Sequence, residues 1–235
     1  MKIFGITVVK NEGDVILPFL EHVSSWADRV FVYDNGSTDD TWEKVESMRG
    51  EVIVPWKSED IPFHNGLRSR VFNAFRHEAS KGDWWCYRMD ADEFYEHDPR
   101  EFLSKVPARY HTVAKKSANY VVTREDVEEF TFTGDFASDR HKLRYMSPYM
   151  SVEKRFFRHR NEVIWEERGR RTFNGITFPT MIPVQHFQWR SPQQIQRRIE
   201  TKWEYLQRKA VAKGRRTAEE VDLEPPSQDA WKTHC

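Results

Sequence analysis

Apolar, β-branched runs that end in a polar loop and then lead into an amphipathic segment recur through the N-terminal part of this chain. That alternation restricts the fold more than any other feature. Residues 2–9 read as a buried strand, Asn11-Glu12-Gly13-Asp14 as a turn and cap, and residues 15–25 as an amphipathic helix. Residues 29–33 repeat the strand and Asp34-Asn35-Gly36-Ser37 the turn. Residues 38–48 repeat the helix, with acidic side chains in its first turn where the helix dipole favours them. Residues 52–55 form a short third strand and 67–80 a helix; Gly82-Asp83 then breaks the chain before a strand at 84–89. Strands alternating with helices over short connections predict an α/β fold, a mostly parallel central sheet with helices on both faces. Ligands of such sheets bind beyond the carboxyl ends of the strands, so the loops at 11–14, 34–37 and 90–93 are expected to open on one rim.

After Pro107 the periodicity weakens, and residues 110–118, 120–123, 130–133 and 152–157 read as strands of mixed direction. Residues 192–213, with Ser191 as N-cap and Pro192 at the first helical position, predict a long charged helix. The tail around Glu224-Pro225-Pro226-Ser227 reads as loose. A length of 235 residues suits one substantial core with an appended segment.

The formal net charge is zero, which argues against a general nucleic-acid binder, yet the charge is uneven. Acid concentrates between residues 83 and 98, and Arg and Lys between 140 and 216. The basic stretch suits an anionic donor, an acidic membrane surface or nucleic acid, and equally a solvated surface. The two cysteines, Cys86 and Cys235, argue against a disulfide framework or a Cys-based zinc site and fit a reducing compartment. No segment is long and apolar enough to cross a bilayer. The expected location is cytoplasmic, with any membrane association peripheral and through the basic C-terminal half.

The chemistry concentrates in Tyr87-Arg88-Met89-Asp90-Ala91-Asp92-Glu93-Phe94. In an extended or tightly turned backbone, side chains at i and i+2 leave on the same side, so Asp90 and Asp92 are expected to face one site. Paired oxygen ligands suit Mg²⁺ or Mn²⁺ when a bound phosphate supplies the remaining ligands, whereas the bland reading is a solvated acidic turn. The first expectation is a metal-assisted enzyme acting on a phosphorylated donor.

Thr7-Val8-Val9-Lys10-Asn11-Glu12, Tyr33-Asp34-Asn35-Gly36-Ser37-Thr38-Asp39-Asp40-Thr41 and Asp90-Ala91-Asp92-Glu93-Phe94, in this order, resemble the family 2 glycosyltransferases. The resemblance implies a single Rossmann-like glycosyltransferase A domain. Its nucleotide-sugar-binding half would be residues 1–107 and its acceptor-side half 108–190, with a C-terminal helix and tail at 191–235. It implies that Val9, Asn11, Glu12 and Asp34 hold the base and ribose, Asp34 also organising its own turn. An arginine before the metal motif is expected to meet the diphosphate; Arg68 and Arg70 compete for that role, with Arg70 preferred. In Val184-Gln185-His186-Phe187-Gln188-Trp189-Arg190, the resemblance places His186 in the metal shell and Arg190 on phosphate, with Asp92 as principal ligand and Asp90 assisting it and contacting the donor.

The base is less legible, because Arg170-Arg171 stands where the resemblance implies a His-Glu pair; Glu167 and Glu166 are the nearest carboxylates, and Asp135 is an outside candidate. Trp165, Trp189 and Tyr149 are candidates to stack on sugar rings, although most of the nine tryptophans are expected in the core. The implied reaction is metal-dependent transfer from a UDP-sugar, with inversion, to an acceptor hydroxyl. A glycan, a lipid-linked glycan, a protein or a nucleic acid all qualify as acceptor. A nucleotidyltransferase would need a Gly-rich basic phosphate loop after the first strand, where this chain is acidic. A non-catalytic carbohydrate- or nucleotide-binding protein on the same fold is the other alternative.

Overall fold

The computed structural model of the protein describes residues 1–148, 150–160, 165–166, 175–212, 226–227 and 230–233. They fall into two compact units, Met1–Asn119 with Ser147–His186 and Tyr120–Met146 with Phe187–Cys235. In the first unit, β1 (Ile3–Val9), α1 (Ile16–Ser24), β2 (Arg29–Asp34), α2 (Thr41–Ser47), β3 (Ile53–Ser58), α3 (Gly66–Phe75) and β4 (Trp84–Met89) follow the expected alternation. Strands β3-β2-β1-β4 lie side by side and run parallel. The chain continues through β5 (Glu93–Tyr95), α4 (Pro99–Ser104) and β6 (Thr112–Val121). After α5 (Arg124–Glu129), α6 (Phe136–Asp139) and β7 (Tyr145–Met146) come β8 (Ser151–Arg158), β9 (Ile182–Trp189) and α7 (Pro192–Ala212). The sheet extends beyond β4 in the order β8-β6-β9-β5, with β4–β8, β6–β8 and β5–β9 antiparallel, the mixed direction read for this half.

Burial on both faces explains why β1, β2 and β4 are continuous apolar runs rather than alternating ones. On one face Phe4, Ile6, Phe31, Tyr33, Trp85 and Tyr87 pack against Leu67, Val71 and Phe72 of α3. On the other, α1 buries Ile16, Phe19, Leu20 and Val23, and Trp26 meets Tyr95 and Phe156 at centroid distances of 5.3 and 6.2 Å. Adjacent Phe156 and Phe157 divide between the two layers, Phe157 lying 5.7 Å from Phe72. Helices thus cover both faces. Each such buried aromatic contributes roughly 1.5–3 kcal/mol by leaving water.

In the second unit Ser191 caps α7 as expected: its Oγ accepts from Gln194 N at 3.1 Å. The strand expected at 130–133 does not form. Its backbone groups are satisfied by side chains instead, Thr131 O by Lys142 Nζ (2.8 Å), Phe132 O by Gln193 Nε2 (3.1 Å) and Thr133 N by the Asp139 carboxylate (3.0 Å). The tail that read as loose carries a short 3₁₀ turn at Ala230–Thr233, and Gln196 Nε2 donates to Ser227 O at 2.9 Å.

Candidate functional site

The loops after β1 and β2 are stitched into one wall. Asn11 adopts the left-handed region (φ 54°), which frees its Oδ1 to accept from Thr38 N at 2.8 Å while its own N–H donates to Ser37 Oγ at 2.9 Å. Glu12 N donates to Thr41 Oγ1 (2.9 Å), Gly13 N to Asp39 Oδ2 (3.1 Å), and Asn35 N to Val9 O (2.8 Å). Asp34 is fully buried, and its carboxylate accepts from Ser37 N, Ser37 Oγ and, at 2.6 Å, Ser58 Oγ. The structure therefore gives Asp34 its turn-organising role directly. Val9, Asn11, Glu12 and Asp34 do converge on one rim, and the contacts seen there are between loops.

At the end of β4 the chain turns sharply. Glu93 N donates to Asp90 O at 3.1 Å, closing a turn over Ala91 and Asp92 before β5 begins. Through this turn the two aspartates take different ion-pair partners while the charge of Asp92 still acts on Asp90. Asp90 gathers three guanidiniums: Arg88 Nε at 2.7 Å, Arg68 Nη2 at 3.3 Å and Arg155 Nη2 at 3.3 Å. Burial pushes its carboxyl pKa up, but Arg155, Arg88 and Arg68 outweigh that and hold it below the ordinary carboxylate range. Asp92 instead meets His186. The β5–β9 register sets Glu93 opposite His186, which brings His186 Nε2 to 3.4 Å from Asp92 Oδ2. His186 Nδ1 lies 2.8 Å from Asn119 Oδ1, and Nε2 is the nitrogen turned to Asp92. Burial lowers the imidazole pKa, yet the hydrogen bond and charge of Asp92 prevail and raise it above 6.5.

Among the described residues no three His, Cys, Asp or Glu side chains stand together as a metal-holding group. What the turn offers is one carboxylate and one imidazole, with the imidazole oriented by Asn119. That is a donor pair suited to Mn²⁺ or Mg²⁺ when phosphate and water complete the shell. Asp90, within reach of the Asp92 charge, stands beside this pair with three guanidiniums around it.

Arg68 reaches the motif, and Arg70 makes its charge felt at Tyr33 and Glu59. Arg190 belongs to the second unit and is buried, its Nη1 donating to Phe187 O at 3.4 Å. Trp165 is a core residue 3% exposed, packed on Phe72 and Tyr87, which removes it from the sugar-stacking candidates. Trp189 lies under Arg198, whose guanidinium carbon is 5.3 Å from the ring centroid. Glu166 is exposed, Glu167 and Tyr149 lie outside the described residues, and Asp135 caps α6 by accepting from Ser138 N at 2.9 Å. Arg88, Lys115 and Asn119 were not singled out in the sequence, whereas Arg155 belongs to the arginine-rich run Glu153-Lys154-Arg155-Phe156-Phe157-Arg158-His159-Arg160, which resembles a strand of the family 2 enzymes. Arg88, two residues before Asp90, also had a local signal.

The site thus consists of a parallel α/β sheet whose strand-end loops are tied into a wall, and of a turn after β4 carrying an Asp–His pair and an arginine cluster. The family profile described as "Glycosyl transferase family 2" matches residues 6–188, and the chain belongs to that family; it is a glycosyltransferase. No curated protein matches it. Among solved structures, residues 1–349 of S. aureus TarS in complex with UDP-GlcNAc are 16% identical, covering 100% of this chain and 71% of that chain with a TM-score of 0.45. Glucosyl-3-phosphoglycerate synthase from Mycobacterium tuberculosis, in complex with Mn²⁺, UDP and glucosyl-3-phosphoglycerate, is 16% identical over 54% of this chain and 46% of that one, with a TM-score of 0.32. Among the described residues no helix is long and apolar enough to cross a membrane.

Proposed function

We propose that this glycosyltransferase moves a sugar from a nucleoside-diphosphate donor of the UDP-sugar type to an acceptor hydroxyl, in a metal-dependent reaction that inverts the anomeric centre. The observation that carries this reading is the approach of His186 Nε2 to Asp92 at the end of β4 in a family 2 chain. Asp92 and His186 are the residues that would hold Mn²⁺ or Mg²⁺, which would supply charge neutralisation to the leaving diphosphate. Arg68 and Arg88, gathered by Asp90, place further positive charge beside that position. The rigid wall built from residues 11–13 and 34–41 presents preformed backbone to the nucleoside, so little ordering cost falls on binding. Glu167 or its neighbour Glu166 takes the proton from the acceptor hydroxyl as that oxygen attacks the anomeric carbon from the face opposite the departing diphosphate. Residues 1–107 serve the donor and 108–190 the acceptor; holding the two in line makes the encounter effectively intramolecular.

Incubation of the purified protein with candidate UDP-sugars, with Mn²⁺ or with a chelator, tests the reading. UDP release that requires Mn²⁺ supports it. Release of sugar 1-phosphate would instead indicate nucleotidyl transfer, and tight UDP binding without any product would indicate a binding protein.

A further inference from the structure

We propose that Arg155, on β8, is the positioning residue of the Asp90–Glu93 turn: its guanidinium clamps both ends of the turn and so fixes where Asp92 stands. Arg155 is 0% exposed. Its Nη2 donates to Glu93 Oε1 and Oε2 at 2.7 and 2.9 Å and to Asp90 Oδ2 at 3.3 Å, while Nη1 lies 3.1 Å from Glu153 Oε2. Asp90 and Glu93 are also the residues joined by the turn's backbone hydrogen bond. Backbone and guanidinium thus close one ring around Ala91 and Asp92.

The placement is not what a stabilising ion pair alone requires. Glu93 already has a buried cation, since Lys115 Nζ donates to its Oε1 and, at 2.5 Å, to Ser117 Oγ. Asp90 likewise has Arg68 and Arg88. A buried ion pair adds little net stability over an apolar pair of similar volume, because desolvation offsets the attraction. What the second cation adds is position: a single nitrogen, Nη2, at the far end of a planar guanidinium reaches both carboxylates at once, farther along the side chain than a lysine ammonium extends. The sheet register then does the rest, since Glu93, held in place, stands opposite His186 and sets Asp92 against the imidazole. The consequence for donor binding rests on the function proposed above; the clamp itself does not.

Residue-resolved hydrogen exchange on the full chain without nucleotide tests the clamp, comparing wild type with Arg155→Lys and Arg155→Met. Both variants leave Glu93 paired with Lys115. The Glu93 amide is expected to exchange at least about tenfold faster in each, while amides of β4 and β8 keep their protection. A Glu93 amide as protected as in wild type would overturn the proposal. So would uniform acceleration across β4 and β8, which is the mark of a general stabilising role. Should Arg155→Met not fold, Arg155→Lys decides. Asp90→Asn, which weakens one end of the clamp alone, must also accelerate exchange at Glu93. A wild-type protein that binds no UDP would sink the donor reading and leave these exchange results to judge Arg155.

Discussion

Gly36 gives the sharpest test of the wall between the β1 and β2 loops. It sits at φ +72°, and a Cβ built there would lie 2.6 Å from Asp60 Cα and 2.6 Å from Asp60 Cβ. Alanine at that position carries two costs. Forcing an L-residue into the left-handed region costs about 1–2 kcal/mol. The neighbour is backbone rather than a flexible side-chain tip, so relief requires moving the chain, and overpacking of that kind costs typically about 1–3 kcal/mol. Gly36→Ala is therefore expected to lose about 2–5 kcal/mol, the sum of those ranges. Asparagine tolerates the left-handed region but meets the same backbone, so Gly36→Asn is expected to lose only the contact component, about 1–3 kcal/mol. Equilibrium urea unfolding reads both, and calorimetry with UDP reads the consequence: Ser37, which joins Asp34 to Asn11, moves with Gly36, so nucleotide affinity falls with stability. A Gly36→Ala protein within about 0.5 kcal/mol of wild type and with undiminished UDP affinity would refute this account of the loop.

Further outcomes follow from the site. Asp92→Ala should abolish Mn²⁺-stimulated UDP release with far-UV circular dichroism unchanged; full activity would remove Asp92 from the metal role. Glu167→Gln should lower kcat for transfer more than donor affinity, and a wild-type rate would move the base to Glu166 or Asp135. His159 should make the protein acid-labile. Burial holds its pKa below 6.5, and its Nδ1 accepts from Trp85 Nε1 at 3.3 Å, so the folded state needs the neutral ring. Its contribution is present above pH 6.5, the unfolded value, and is lost as pH falls toward the depressed folded value, because the unfolded chain binds the proton more readily. The urea midpoint should accordingly drop less on acidification in His159→Gln than in wild type; equal drops would contradict the assignment.

Much of the first unit was legible because its elements obey local rules. Buried parallel strands are apolar throughout, the turns carry Gly, Asn and Asp, and β1 to β4 with their helices fall where the pattern put them. Helix α4 was not read from the sequence, although Asp98 caps it by accepting from Arg100 N at 2.7 Å with Pro99 at the first position. Nor was strand β5, because three residues show no period; its existence depends on pairing with β9, far along the chain. The same long-range pairing brought His186 to Asp92. The hydrogen-bonded turn after β4 was also foreseen only as one of two backbone shapes, extended or tightly turned, and the guanidiniums that gather at Asp90 come from three separate elements. Arg155 stood in the sequence only as one member of the arginine-rich run 153–160, Lys115 and Asn119 read as unremarkable strand residues, and only the fold reveals that Arg155 and Lys115 are buried cations beside the motif.

Electron spin-echo spectroscopy of Mn²⁺ bound with UDP, in wild type and His186→Ala, tests most directly whether Asp92 and His186 form the metal pair. Imidazole nitrogen coupling to manganese in wild type, absent from His186→Ala, is the predicted result. Mn²⁺ and UDP bound with no nitrogen coupling, or with the same coupling in both proteins, would contradict it.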